Sequence, residues 1–432
     1  MDLVSLIGDT FVVRSNYSYI IFSPFSGKIT RIPCFPEIGS SVFVSLSNAG
    51  FFKQPPDSIK KESLDSWTGF RSLTLLVTRR CNLACVYCYA TAKLNGRSMS
   101  LDTAMIALDY FYKQLKGNTL RITFHGGGEP TLEWILMKEV VAKSQFLAKR
   151  DEKETRFVIV TNGTNNKIIP WLIENKFGIS ISADGPPSIQ NRNRPFANGD
   201  PSSKAVEKSI QHLVKCDYPF TIRLTFSSAD SLSDIVKYFG SLGVESLHIE
   251  PLFPFGRFYG TDNIDQKKCG NICSPSGGEF VDAFLKGMDV AKSFGMKITN
   301  SHLSHLMRWS GYFCGSASGR SMIVTDDGFV SGCLEVVDSN DPNFETFRLG
   351  RIHSDSGEVV IDNIALGRLQ SRHGDILDHC KDCFARYVCS GGCAVKTVRA
   401  SGNFMGRDLP YCVFTKNLIP KIIEQIANLS KI

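Results

Sequence analysis

Long apolar runs are missing from this 432-residue chain. No stretch is apolar enough to span a bilayer, and the opening residues Met1-Asp2-Leu3-Val4 show neither the basic region nor the extended apolar run of a secretion signal. Blocks of like charge are absent too, so nothing reads as a nucleic-acid tail. The formal net charge of +7 permits an acidic partner without requiring one. Internal repeats and low-complexity segments are also lacking. With 43% hydrophobic and 21% charged residues, the composition is that of a globular chain and not a disordered one. These absences predict a cytoplasmic protein with no membrane and no nucleic-acid partner.

What the chain has in quantity is cysteine, 14 residues in all. A reducing compartment disfavours a disulfide framework and favours metal ligation. Ten of the fourteen fall into spaced groups, whereas Cys34 and Cys216 stand alone and read as small buried hydrophobes. The first group is Cys81-Asn82-Leu83-Ala84-Cys85-Val86-Tyr87-Cys88. Thiols separated by three and then two residues can ligate three corners of a cuboidal iron–sulfur cluster and leave the fourth iron open. A structural zinc site wants four protein ligands, and no fourth Cys or His is close in sequence. A disulfide would leave one thiol over.

Before residue 70 the apolar runs Phe11-Val12-Val13, Tyr19-Ile20-Ile21-Phe22 and Val42-Phe43-Val44, separated by Pro and Gly, predict a few strands in a small module. From Leu73 strands alternate with helices. Strands are expected at 73–78, 120–124, 156–161, 179–181, 221–226 and 247–249. Between them, helices follow Ser100, run through Leu132, Leu136 and Val140, pass Trp171, and cover 205–214 and 232–242. Six β/α units in series require parallel strands with right-handed crossovers, either as a barrel or as an open doubly wound sheet. In both, loops at the C-terminal strand ends build the active site, and the cysteine loop lies at such an end. Pro251, Pro254, Gly256 and Gly260 mark an exit from this unit, with a helix at about 279–294 beyond it. After Cys314 the composition turns to Gly, Cys and short strands.

The cysteine stretch resembles the signature of the radical S-adenosylmethionine (SAM) enzymes, CxxxCxxC with an aromatic residue before the last cysteine. The resemblance implies that Cys81, Cys85 and Cys88 hold a [4Fe–4S] cluster whose open iron chelates SAM. An electron from that cluster then cleaves the sulfonium to a 5′-deoxyadenosyl radical. It also selects a partial (β/α)6 barrel of TIM type. His125-Gly126-Gly127-Gly128-Glu129-Pro130 breaks both helix and strand patterns. Its glycines let backbone approach a ligand, and Glu129 can accept from an ammonium, although a turn with a solvated Glu is the simpler reading of the residues alone. Gly127, Gly128, Glu129 and Pro130 are similar to the family's GGEP motif, which contacts the SAM amino group. Thr161-Asn162-Gly163 resembles its TNG turn, and Ser182-Ala183-Asp184-Gly185 its segment near the SAM ribose, with Ser182 and Asp184 as candidates. Arg223 holds the position of an arginine that meets the SAM carboxylate. Arg194 is a candidate for a ligand carboxylate, with a surface ion pair as the alternative, and backbone around Tyr87 would meet the adenine.

Beyond Cys314 the order is Cys, Gly-x4-Cys, gap, CxxC-x5-CxxxC, gap, Cys. This resembles the SPASM domain appended to radical SAM enzymes that modify peptides and proteins. By that resemblance Cys380, Cys383, Cys389 and Cys412 bind a distal auxiliary [4Fe–4S] cluster, and Cys314, Cys333 and Cys393 a proximal one, making three clusters with the first. No cysteine stands a few residues before Cys314, so Cys273, Cys269 or a substrate thiolate is left as fourth ligand. A zinc ribbon is the competing reading of the CxxC pair, and a zinc-stabilised adaptor without catalysis is the competing function. The expected domains are a module at 1–70, the radical SAM core at 71–260, a bridge at 261–313 and the SPASM domain at 314–432. In peptide-modifying relatives a leader module grips the substrate; a flap packed on the barrel is the alternative for residues 1–70. The implied partners are a precursor peptide or protein substrate and a reduced ferredoxin- or flavodoxin-type donor. The implied reaction is oxidative cross-linking of side chains in a ribosomally made peptide. Formylglycine formation in a sulfatase is the alternative, and peptide epimerisation the third choice. Formylglycine formation needs a base, for which Glu335 and Glu250 are candidates alongside surface or ion-paired roles for each.

Overall fold

A computed structural model describes residues 4–7, 10–23, 26–52, 69–253, 272–306 and 310–429. Pro254, Gly256, Gly260 and Cys269 lie outside these residues. The N-terminal module is an antiparallel sheet of β1 (Val4–Ile7), β2 (Thr10–Ser15), β3 (Ser18–Ser23) and β4 (Lys28–Ile32), in that order. Strand side chains alternate faces, and here both faces are covered. Phe11, Val13, Ile20 and Phe22 join the main core, whereas Val12 and Ile21 pack with Leu46 and Phe51. Residues Val42-Phe43-Val44, expected as strand, lie instead in a helix, Ser41–Asn48. Ser40 decides this: its hydroxyl accepts from the Phe43 amide at 3.1 Å and caps the first turn, and the helix then buries Leu46.

The six expected strands are all present, as β5 (Ser72–Leu75), β6 (Thr119–Phe124), β7 (Glu154–Thr161), β8 (Gly178–Ser182), β9 (Phe220–Phe226) and β10 (Ser246–Pro251). Helices Leu101–Gln114, Trp134–Arg150, Ile169–Glu174, Ser203–Lys215 and Leu232–Ser241 connect them. Ser100 caps the first, accepting from the Thr103 amide at 3.0 Å. Within Ser203–Lys215 the buried Val206, Ile210 and Leu213 recur at four and three, so one face meets the sheet. Burying each such side chain contributes roughly 2 kcal/mol.

The sheet extends at both edges. β11 (Lys297–Thr299), which follows a helix at Gly277–Lys292, pairs in parallel with β10. On the other edge β12 (Ser321–Val324) pairs in parallel with β5, and β13 (Phe329–Ser331), β14 (Arg348–His353) and β15 (Glu358–Ile361) continue antiparallel. The result is one eleven-stranded sheet, ordered β11-β10-β9-β8-β7-β6-β5-β12-β13-β14-β15. Hydrogen bonding therefore runs without a break from the barrel strands into the C-terminal module.

Charge pairs hold the same junction. Arg79, in the loop after β5, pairs with Asp326 at 3.2 Å and with Asp338, and Arg97 pairs with Asp326 and Asp327 at 2.9 Å each. The N-terminal sheet rests on the C-terminal helix Leu409–Leu429: Ser15 donates to Glu424 at 2.6 Å and Arg31 to Asn428 at 2.9 Å. Phe11 also meets Phe384 edge-on, with ring centroids 6.1 Å apart. Cys34 and Cys216, expected to be buried, are exposed. Cys34 follows β4 in a loop, and Cys216 stands at the solvent end of Ser203–Lys215, where no core is within reach. Among the described residues no helix is long and apolar enough to cross a membrane.

Candidate active site at the strand ends

Because β5 to β10 are parallel, their C-terminal ends share one side of the sheet. Five sequence motifs meet there. The cysteine loop leaves β5 and is stitched to residues 193–197: the Ala84 amide donates to the Pro195 carbonyl, Val86 to Asn193, and Ala197 to the Asn82 carbonyl. Cys81, Cys85 and Cys88 lie close enough for their charges to act on one another. Burial, with Glu129 adding to it, pushes the Cys81 thiol up to about 12. Such a thiol ionises only when a metal takes the proton's place.

The glycines after β6 serve backbone packing. A Cβ on Gly128 would lie 2.0 Å from the Arg80 carbonyl oxygen, and one on Gly127, at φ +107°, would lie 3.0 Å from that of Thr78. The segment thus lies flat against the cysteine loop, and the Glu129 amide donates to the Arg80 carbonyl at 2.8 Å. The Glu129 carboxylate is 2% exposed. Its Oε1 accepts from the Thr131 amide, Thr131 hydroxyl and Thr161 hydroxyl at 3.1, 2.7 and 2.6 Å, and its Oε2 from the Asn162 amide at 2.7 Å. Pro130 opens the short turn that follows and is buried. Burial raises the Glu129 carboxyl, and the four donors oppose that shift. Asn162 donates to Asn82 at 2.8 Å, lies 4.0 Å from the Cys81 sulfur, and holds the Thr164 amide.

Asp184 is 0% exposed and engaged on every side. It accepts from the Tyr87 hydroxyl, from Asn193 at 3.1 Å, from Arg194 at 3.0 Å and from the Thr225 amide at 3.3 Å. The Arg194 guanidinium also lies 5.2 Å from the Tyr87 ring centre. Burial works against the Arg194 charge, but Asp184 outweighs it and keeps the guanidinium ionised. Tyr87, Asp184 and Arg194 therefore form a buried brace between the cysteine loop and the end of β8. Ser182 ends β8 half-buried, opposite Arg223 on β9. The Arg223 guanidinium has no partner among the described residues and faces His125 and Tyr89.

His125 and Tyr89 carry no role in the sequence reading, although His125 opens the His125–Pro130 segment and Tyr89 adjoins the cysteine stretch. Burial and Arg223 hold the His125 imidazole down to about 4. Tyr89 is half-buried, within reach of Glu335, Cys88, Cys333 and Arg223. Its place directly after Cys88 was the signal available.

The C-terminal thiols form two sets. Cys314, Cys333 and Cys393 act on one another electrostatically, and burial pushes Cys393 up to about 12. Glu335 lies beside them with its amide 3.5 Å from the Cys333 sulfur, its carboxylate accepting from Arg399 at 2.7 Å. Glu250, at the end of β10, is held by His248 at 3.0 Å and by the amide and hydroxyl of Ser301. Burial pushes its carboxyl up, but His248, Lys396 and Ser301 prevail and hold it well below the carboxylate range. Cys273 is exposed, with its backbone bonded to Ser227.

Cys380, Cys383, Cys389 and Cys412 line one pocket, shared with His379, Arg386, Arg407 and Lys416. Among the described residues no three His, Cys, Asp or Glu side chains converge on a point suited to one metal ion. The buried His379 Nε2 at its wall has no partner. Four sulfurs and an unbonded ring nitrogen about one pocket suit a sulfur-bridged iron cluster, whose inorganic sulfides accept hydrogen bonds.

Residues 75–240 match the radical SAM superfamily. An uncharacterized protein of Methanocaldococcus jannaschii is 35% identical over 190 residues, 43% of this chain, and the chain spans only 64% of that relative's length. The cysteine-type anaerobic sulfatase-maturating enzyme of Clostridium perfringens is 24% identical over 329 residues, 72% of this chain and 85% of its own. Native anSMEcpe with bound AdoMet shares the fold at a TM-score of 0.64, with 20% identity, over 83% of this chain and 99% of that one. Streptococcus suis SuiB bound to precursor peptide SuiA does so at 0.56, with 13% identity, over 95% and 99%. Motif order, parallel-strand architecture and the match across 75–240 agree: residues 75–240 form a radical SAM domain, and the chain is an enzyme.

Proposed function

We propose that this protein is a SPASM-type maturase that oxidises side chains of a peptide or protein and joins two of them in a ribosomally made precursor. The observation that carries this reading is the place of Tyr89. It lies within electrostatic reach of Cys88 on one side and of Cys333 and Glu335 on the other, so two thiol sets border one mouth. When bound, SAM and its cluster supply a radical that abstracts hydrogen from a substrate carbon. The chain's own residues hold that chemistry in place. Glu129 and Asn162 brace the Cys81 loop, Arg223 offers an unpaired cation to a carboxylate, and the set Cys314, Cys333 and Cys393 stands where an electron from an oxidised product would be taken up. Three [4Fe–4S] clusters follow from the three thiol sets, the distal one held by Cys380, Cys383, Cys389 and Cys412. Among the described residues no fourth cysteine joins the proximal set, leaving room for a substrate thiolate and favouring a thioether. A ferredoxin- or flavodoxin-type protein would deliver the reducing electron.

Formylglycine formation is the second reading, supported by the likeness to the sulfatase-maturating enzyme over 72% of the chain. It needs a base, and both candidates are occupied, Glu335 by Arg399 and Glu250 by His248 and Ser301. The first reading needs none at those positions. SuiB bound to precursor peptide SuiA aligns over 95% of the chain and so extends into the first module.

Mass spectrometry of a candidate precursor co-expressed with this protein separates the readings. Loss of two hydrogens without aldehyde reactivity supports a cross-link. An aldehyde captured by a hydrazide, with or without oxygen replacing sulfur, supports formylglycine. An unchanged mass, with no 5′-deoxyadenosine released under dithionite, would sink both.

A further inference from the structure

The two C-terminal thiol sets differ in the charge around them. Lining the distal cavity are Arg386, Arg407, Lys416 and His379, and no carboxylate is among its lining residues. Arg407 donates from Nε to the Cys412 sulfur at 3.4 Å. Behind the cavity lies Arg372, 1% exposed, among the largest fully buried side chains. Its guanidinium donates to the carbonyls of Gly391, Phe404 and Gly406 and to the Thr397 hydroxyl, all neutral, while its Nε–H is unpaired. Among the described residues no carboxylate pairs with it; Cys393 of the proximal set acts on it most strongly among the thiols, ahead of Cys380, Cys389 and Cys412, so Arg372 stands between the two sets. Arg386 alone of these cations has an acidic partner there, Asp375 at 3.6 Å.

The proximal set is balanced instead. Glu335 and Asp341 share Arg399, and Lys396 acts on Cys393. A cluster bound by four thiolates gains one negative charge when reduced, so positive surroundings and N–H donors to its sulfurs favour the reduced form.

We propose that Arg407 and Lys416 set the distal cluster at a higher reduction potential than the proximal one, making it the resting place of the electron removed from the substrate. The inference rests on the three-cluster reading above. With both clusters bound, the one held by Cys314, Cys333 and Cys393 would give up one electron and the one held by Cys380, Cys383, Cys389 and Cys412 would take it up. One electron moves, no proton moves and no bond is made.

The test is an EPR-monitored redox titration of the anaerobically reconstituted full chain, with iron and sulfide counted per chain. In the native protein the distal signal should appear at the higher potential. Arg407→Gln should lower the reduced-to-oxidised ratio of the distal cluster at fixed poise by about tenfold, or about 59 mV for one electron. Proximal and SAM-binding signals should stay in place. Arg407→Lys, which keeps charge but loses the N–H···S geometry, should fall between. Lys416→Glu touches no sulfur and should shift the ratio the same way through charge alone. Unchanged potentials in Arg407→Gln and Lys416→Glu at full iron content overturn the proposal and leave the cluster reading standing. A Cys380→Ser, Cys383→Ser variant that keeps native iron content removes the distal cluster itself, and the proposal with it.

Discussion

His125 shows how one side chain can set an acid limit. Burial and the neighbouring Arg223 guanidinium hold its imidazole down to about 4, against 6.5 in an unfolded chain, and its Nδ1 accepts from the Gly126 amide at 2.7 Å. The folded state therefore keeps it neutral while the unfolded state binds a proton below 6.5. Its contribution to stability is complete above pH 6.5 and declines as pH falls toward 4. Urea midpoints between pH 7 and 4.5 should fall less steeply in His125→Gln than in the native protein; parallel slopes would refute the assignment. The grouping of the cysteines was legible residue by residue because spacing along the chain is local. The partners of Asp184 were not. It accepts from Tyr87, Asn193, Arg194 and Thr225, and two of these, Tyr87 and Thr225, are brought to it by chain folding and not by sequence proximity. Glu129, expected to meet an ammonium, has four protein donors for a similar reason: Thr161 and Asn162 arrive on the next strand.

At the scale of elements, alternation of apolar strands with helical periodicity placed all six β/α units, since each signal lies within a window of a dozen residues. Ser41–Asn48 escaped that reading. Val42-Phe43-Val44 has the β-branched and aromatic make-up of a strand, and only the Ser40 cap and the burial of Leu46 against Val12 and Ile21 make it a helix. Ser40→Ala should destabilise this helix by about 1 kcal/mol. Hydrogen exchange should show it as faster exchange at Phe43 to Leu46 with the amides of β5 to β10 unchanged. Slower or unchanged exchange at those four residues would argue that packing alone holds the turn.

Over the whole molecule, the N-terminal sheet, the parallel strands and the C-terminal module share one core, and the parallel sheet crosses from β5 to β12. Asp326, 1% exposed at its side chain, receives Arg79 and Arg97 from the cysteine loop. Removing one member of a buried pair costs roughly 3–5 kcal/mol, reduced here to about 1–2 because both arginines are partly solvated. Asp326→Asn should raise hydrogen exchange in residues 76–98 and in β12–β13 together; a rise confined to the hairpin would show that the two are not coupled. Spacing along the chain by itself determined which thiols group, which strands run parallel and at which end of the sheet the motifs gather. Cysteine spacings and strand periods are written in near neighbours. The tertiary structure alone decided which charged groups remain available, Arg223 unpaired among the described residues while Arg194, Glu250 and Glu335 are engaged. It also decided that one thiol set is ringed by cations and the other balanced by acids, because field and burial sum over residues hundreds of positions apart.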